Sequence, residues 1–140
     1  MDIVYLDFCK AFDTVPHERL LAKLEALGIR GSLLSWIRSF LTGRMQAVMV
    51  NGTLSSPKPV LSGVPQGSVL GPLLFVAYIN DIVTYLMSSV KLYADDAKVF
   101  SSSPLLLQAD LDALSFWSDL WLLRFNVEKC GVMYCGHNNP

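Results

Sequence analysis

The stretch "VKLYADDAKVF", residues 90–100, constrains this chain more than any other. Its two arms read as a β-hairpin, with Val90, Leu92 and Tyr93 on one side and Val99 and Phe100 on the other. Between the arms stand two adjacent carboxylates, Asp95 and Asp96. Charges of like sign about 4 Å apart repel by roughly 1 kcal/mol in water and roughly 4 kcal/mol near a protein surface. Two readings are open: a polar turn, or a place meant for a cation. Alternate side chains of a strand face opposite ways, so Tyr93 and Asp95 share a face and Asp96 points away unless the turn falls there. A turn at Ala94–Ala97 presents both carboxylates at its tip.

A third carboxylate bears on the choice. "DIVYLDF" near the start is a short β-rich apolar run and reads as a central strand buried on both faces. Asp7 ends it. A buried carboxylate is costly unless it is paired, hydrogen-bonded or bound to metal, or unless it caps the next turn. If the 90–100 hairpin lies beside this strand, Asp7, Asp95 and Asp96 converge. Oxygen-only ligands of this kind suit Mg²⁺, which takes one or two carboxylates plus substrate phosphates. Two such ions about 3.5–4 Å apart are an apparatus for in-line phosphoryl transfer.

Elsewhere the patterns give one fold class. "TVPHERLLAKLEALG" reads as a helix, with Pro16 in its first turn, an apolar stripe of Leu20, Leu21, Leu24 and Leu27, and Gly28 at its C-terminal cap. "SLLSWIRSFL" reads as a second helix, capped by Ser32, with Leu33, Ile37 and Phe40 facing inward. "QAVMVNGTLSS" is a hairpin around Asn51-Gly52, and Pro57 and Pro59 push its second arm to an edge or out of the sheet. A Gly/Pro loop then leads into a long apolar helix ending near Met87, with Leu73, Phe75, Ile79 and Ile82 on or near one face. "PLLLQADLDALSFWSDLWLL" gives another helix, with Leu107, Leu111, Leu114 and Trp117 at helical spacing, and "RFNVEKCGVMYCG" a last strand or strand pair. The expectation is a mixed α/β (α+β) chain, one antiparallel sheet with helices packed on one face.

Composition narrows the class further. The 140 residues are enough for one domain. They are 52% hydrophobic, with mean hydropathy +0.41, which points to apolar surface meant for segments outside the chain. Eleven basic against twelve acidic residues is not the balance of a self-sufficient nucleic-acid binder. Three cysteines, Cys9, Cys130 and Cys135, argue against a disulfide framework and for a reducing, intracellular compartment. Cys130, Cys135 and His137 lack a fourth ligand for zinc, so the two cysteines are read as strand residues. The window from Val69 to Met87 nearly has the length of a membrane span, but Gly71, Pro72, Asn80 and Asp81 interrupt it and no membrane is expected.

Four stretches taken together, "LDFCKAFDTVPHERLL", "SGVPQGSVLGPLLF", "YADD" and "WLLRFNVEKC", closely resemble the palm motifs of reverse transcriptases. The likeness is nearest to non-LTR (LINE-type) retrotransposon enzymes of the jockey-like branch. It implies a polymerase palm over residues 1–140, a partial domain with fingers and thumb absent, and RNA-directed DNA polymerase activity in which two Mg²⁺ ions, or Mn²⁺ in their place, join dNTPs to a primer 3′-hydroxyl. The partners implied are an RNA template, a DNA primer, dNTP and the missing fingers and thumb segments, and a nuclear setting fits the full-length element protein. By the same resemblance Asp7, Asp95 and Asp96 are the metal carboxylates, and Lys129 stands near the leaving pyrophosphate. Phe12 is the steric gate against a ribose 2′-hydroxyl. Gln66 and Gly67 lie near the incoming nucleotide, and Tyr93 precedes the acidic pair. Asp13 is read as a helix cap and His17 as a surface helix residue. A second reading is an inactive relic of a mobile element, and a third is a maturase-type or telomerase-like palm.

Overall fold

The computed structural model describes residues 1–136. Its sheet is built on β1 (Asp2–Asp7), which pairs antiparallel with β7 (Asp96–Ser101) on one side and β8 (Gly131–Tyr134) on the other. β6 (Ser89–Tyr93) lies beyond β7, giving the order β6-β7-β1-β8. The 90–100 hairpin thus lies beside the Asp7 strand. β1 is central in its pairing, but on its second face full burial is confined to Ile3, less than the apolar run suggests. Val4 and Leu6 join Ala97 and Val99 in the core, while Tyr5 and Asp7 are half-buried on the other face.

The helices close over the apolar face. α2 (His17–Ala26) buries Leu20, Leu21 and Leu24 but leaves Leu27 exposed. Gly28 follows with φ 94, and the amide of Ile29 reaches back to the Leu24 carbonyl, closing the helix with glycine as the stripe predicts. α3 (Gly31–Leu41) begins one residue before Ser32, has no side-chain cap, and exposes Leu33 while burying Ile37. A four-residue helix, α1 (Ala11–Thr14), precedes both and has no periodic signal in the sequence. The Asn51-Gly52 turn is present, both residues at positive φ, joining β3 (Met49–Val50) to β4 (Thr53–Leu54). Around it β2 (Met45–Gln46) pairs with β5 (Lys58–Pro59), and this ribbon stands outside the main sheet.

The apolar helix is shorter than its hydropathy suggests. α4 (Leu70–Ile79) passes at Asn80 into a 3-10 turn ending at Tyr85. Phe75, Ile79 and Ile82 are buried, but Leu73 is exposed and Leu74 takes its place in the core. An almost wholly apolar helix has no polar stripe to report which way it faces. Among the described residues, no helix is long and apolar enough to cross a membrane. α5 (Pro104–Trp121) starts with Pro104 in its first turn, and the Ser103 hydroxyl accepts from the Leu106 amide. Leu107, Leu114 and Trp117 are buried and Leu111 is partly so.

One buried cation pins three helices together. The Lys23 ammonium on α2 donates to the Tyr78 carbonyl at 2.6 Å and to Asp81 Oδ1 at 2.5 Å. It lies 3.8 Å from the Trp121 ring centroid, with the Tyr78 and Trp117 rings at 4.7 and 4.8 Å. Trp117 Nε1 donates to the same Asp81 oxygen at 3.1 Å. Burial lowers the Lys23 pKa below 10.5, and the Asp81 hydrogen bond and charge oppose that shift. Burial raises the Tyr78 pKa above 10.0.

These shifts have opposite signs in a pH titration of stability. Between its lowered folded pKa and 10.5, Lys23 is neutral when folded and charged when unfolded. The unfolded chain then holds the extra proton, so stability rises with pH across that window. Above pH 10.0 folded Tyr78 keeps a proton that the unfolded chain sheds, so its contribution falls. Lys23→Met leaves the Tyr78 carbonyl without this donor and should cost about 2 kcal/mol at neutral pH. The gap from the parent should widen as pH approaches 10.5 in urea melts, whereas a constant gap would mean that Lys23 stays charged throughout.

Candidate active site

The register of β1 against β7 sets Asp7 directly opposite Asp96, and that of β6 against β7 sets Tyr93 opposite Asp96. Cross-strand partners share a face, so Asp7, Asp96 and Tyr93 emerge together on the side away from the core. The hairpin turn is Ala94–Asp95, tighter than the Ala94–Ala97 turn read from the sequence. Ala94 takes φ 52, a left-handed conformation that costs a non-glycine residue about 1–2 kcal/mol. The turn breaks the strand alternation, so it is Asp96 that joins Tyr93's face, while Asp95 sits in the turn itself. Among the described residues, no group of three His, Cys, Asp or Glu side chains is gathered closely enough to hold a metal. The convergence expected of three carboxylates is therefore a facing pair, Asp7 and Asp96, with Asp95 next to it in the chain. Cys130 and Cys135, read as strand residues, flank β8 (Gly131–Tyr134) and do not lie in it; neither thiol is in a disulfide, and His137 lies outside the described residues.

Lys129 is held beside this pair. The 124–130 segment is laced to the end of β1: Cys9 N donates to the Arg124 carbonyl and Asn126 N to the Asp7 carbonyl, both at 2.8 Å. Phe8 stacks on Phe125 with centroids 4.6 Å apart. A turn closed by Lys129 N on the Asn126 carbonyl brings Lys129 Nζ to 3.6 Å from Asp7 Oδ1. That is an ion pair longer than a hydrogen bond, and Asp7 Oδ1 is a buried oxygen with no hydrogen-bond partner. A cavity of about 360 Å³ opens over these groups, bounded by Tyr5, Asp7, Asp96, Lys98 and Lys129.

A second group surrounds α1. Phe12 is half-buried and stacks on Phe75 of α4, centroids 4.5 Å apart at 25°. The 62–67 loop lies against it: Val64 N donates to the Phe12 carbonyl and Gly63 N to the Val15 carbonyl, each at 2.8 Å. Gly63 has φ 86, and a Cβ there would come within 2.7 Å of the Asp13 backbone, so no side chain fits. A Cβ on Gly71 would likewise meet the Pro65 carbonyl at 2.5 Å. Gly67, at φ 77, faces open space. Gln66 is exposed, and its Nε2 donates to Asp13 Oδ1 at 2.7 Å.

Two residues here differ from their sequence readings. Asp13 does not cap α2, whose N-terminus has no side-chain cap; it holds Gln66. His17 is buried, and its Nε2 lies 2.9 Å from the Gly63 carbonyl, which requires the proton on that nitrogen. Arg44 Nη2 donates to the same carbonyl at 2.7 Å. These contacts join positions 19 to 53 residues apart, and no local pattern announces them. Lys10, Asp13, Arg44 and Gln66 line a larger cavity of about 760 Å³.

Comparison with known proteins agrees with this architecture. Residues 3–138 match the family described as reverse transcriptase (RNA-dependent DNA polymerase). The chain is 39% identical over 140 residues to the RNA-directed DNA polymerase from mobile element jockey of Drosophila melanogaster, a match covering 90% of this chain and 15% of that protein. It is 34% identical, with the same coverage, to the probable RNA-directed DNA polymerase from transposon BS of Drosophila melanogaster. To the Pol polyprotein from the type-1 retrotransposable element R2 of Popillia japonica it is 32% identical over 123 residues, covering 88% of this chain and 19% of that protein. The chain thus spans about 15% of the length of the first two relatives. Apo telomerase of Candida tropicalis has the same fold over 99% of this chain and 32% of its own, with a TM-score of 0.75 at 15% identity. With a family match running through nearly the whole sequence and relatives in non-LTR retrotransposons, the chain belongs to the reverse transcriptase (RNA-dependent DNA polymerase) family.

Proposed function

We propose that residues 1–140 are the palm part of an RNA-directed DNA polymerase of a non-LTR retrotransposon, extending a DNA primer on an RNA template with dNTPs. The observation that carries this is the facing of Asp7 and Asp96 on the solvent side of the sheet, next to the Asp95 turn. A buried Asp7 oxygen without a hydrogen-bond partner and an all-oxygen donor set fit Mg²⁺, or Mn²⁺ in its place. Asp7, Asp95 and Asp96 would hold the ions. When bound, a pair of divalent ions makes the primer 3′-hydroxyl a better nucleophile and offsets charge on the phosphates. In the reaction the 3′-oxygen bonds to the α-phosphorus as the bond to pyrophosphate breaks. Lys129, the cation nearest Asp7, would donate a proton to the leaving pyrophosphate or offset its charge. Phe12, braced by Phe75, would block a 2′-hydroxyl, and Gln66 would contact the nucleotide or template. Tyr93 and Gly67 would border the same substrates. The fingers and thumb would come from segments flanking this one in a longer protein.

A chimera tests the reading: this chain replaces the matching segment of the jockey polymerase, and primer extension is followed on poly(rA) with oligo(dT) and Mg²⁺. The parental chimera should extend. Asp95→Asn should lower the rate by about a hundredfold or more, since an amide is a neutral and weaker ligand, each tenfold corresponding to about 1.4 kcal/mol. Without metal, thermal melts of Asp95→Asn should hold or rise slightly, because a charge has left a like-charged cluster. Equal rates for Asp95→Asn and the parent would reduce "YADD" to a turn, and a parental chimera that never extends would favour the inactive relic.

Phe12→Ala gives an independent check. It should raise ribonucleotide use relative to deoxynucleotide use by about tenfold or more, a loss of about 1.4 kcal/mol in discrimination. Binding of Mg²⁺ should not change. Unchanged discrimination would leave Phe12 as a core residue stacked on Phe75.

A further inference from the structure

The Asp13–Gln66 contact fixes something that the position of Gln66 alone does not. A glutamine amide has a donating and an accepting end of nearly equal size, and turning it over exchanges them. An ionised carboxylate can only accept. With Asp13 Oδ1 at 2.7 Å, Gln66 must present its nitrogen to α1 and turn its carbonyl oxygen the other way. We propose that Asp13 is a positioning residue that sets this orientation, so that Gln66 meets the incoming nucleotide with a hydrogen-bond acceptor. The inference rests on the polymerase reading above.

Asp13 is well placed for the task. Its own amide donates to the Lys10 carbonyl at 2.8 Å, and its carbonyl accepts from the Ser62 hydroxyl at 2.8 Å. Gly63 sits against its backbone so closely that no Cβ fits. The bonds from Val64 to Phe12 and from Gly63 to Val15 flank it. Gln66 therefore hangs from a loop already registered on α1, and the side-chain bond determines only which way its amide turns. The cavity both residues line, about 760 Å³, is of the size that takes a small-molecule ligand, and Lys10 and Arg44 give it positive charge. Phosphate oxygens suit those cations. The hydroxyl and N–H groups of a nucleotide are what an acceptor at Gln66 would recognise.

Asp13 is exposed, so its truncation opens no core. In the jockey chimera, Asp13→Ala should raise the KM for dNTP about tenfold and leave the KM for primer–template unchanged. Asp13→Asn, whose amide can donate as well as accept, no longer dictates which end of Gln66 faces it and should also raise the KM for dNTP, by up to the Asp13→Ala factor. In a Gln66→Ala background, Asp13→Ala should add nothing. Additive losses, or Asp13→Asn with the parent's KM for dNTP, would overturn the proposal. A second readout needs no activity. In ¹⁵N-labelled 140-residue chain, a Gln66 side-chain proton should be shifted downfield and slow to exchange, and Asp13→Ala should return it to the position of a free glutamine. A parent that already shows free-glutamine values refutes the contact. A shifted proton beside an inactive parental chimera refutes the polymerase reading and leaves the contact standing.

Discussion

The ladder between β1 and β7 is the constraint on which the molecule depends. It pairs Val4 with Val99 and Leu6 with Ala97 on the core side, and therefore Asp7 with Asp96 on the other. A slip of one residue would turn every β1 side chain to the opposite face, placing Asp7 in the core and Leu6 in water. Burying Val4, Leu6 and Val99 stabilises the fold by roughly 1.5–3 kcal/mol each. Repulsion between two carboxylates near a surface is at most about 4 kcal/mol at 4 Å. The apolar face outweighs the acidic one, so the sheet holds two like charges together without needing them for its own stability.

The second constraint is the seat of the 62–67 loop. Two donors, His17 and Arg44, converge on the Gly63 carbonyl, while the amides of Gly63 and Val64 reach the Val15 and Phe12 carbonyls. Every buried backbone group satisfied this way is one that water need not reach. The loop is paired to its neighbours by backbone hydrogen bonds, as a strand is, without being one. The glycines around it divide by role: Gly63 in the loop and Gly71 in α4 permit close approach, whereas Gly67 has only its backbone angle to justify it.

Much of this was legible in the residues, and what was not has a common cause. The Gly28 stop, the Asn51-Gly52 turn, the hairpin at Asp95–Asp96 and the face of α5 rest on interactions within a few residues, and local pattern reports them. The pairing of Asp7 with the hairpin followed from asking what could offset three carboxylates, and the strand order supports it. The Lys23 cluster joins groups from residue 23 to residue 121. In a helix that carries Glu18, Arg19 and Glu25 as well, Lys23 looks like any solvated lysine. His17 and Asp13 misled for the same reason: each local role was chemically sound, and a distant partner displaced it. Leu73 misled because α4 is apolar nearly all round. Its outer residues, Val69, Leu73 and Val76, remain exposed, which is where part of the high mean hydropathy resides.

The solvent face of the sheet shows what the ladder permits. Along β6 and β7 it pairs Lys91 with Lys98, and two residues further along β7 it pairs Asp96 with Asp7 on β1. A sheet arranged for stability alone sets opposite charges across from each other, because like charges directly opposite are destabilising. Here base faces base and acid faces acid. Each conflict is relieved by a third group: Lys98 lies over the ring of Tyr5, its partner on β1, at 5.1 Å, and Lys129, from outside the sheet, approaches Asp7 at 3.6 Å. Such partial relief leaves charge of both signs available on one surface. The fold tolerates it because its stability is secured on the opposite face, by side chains two positions apart on the same two strands.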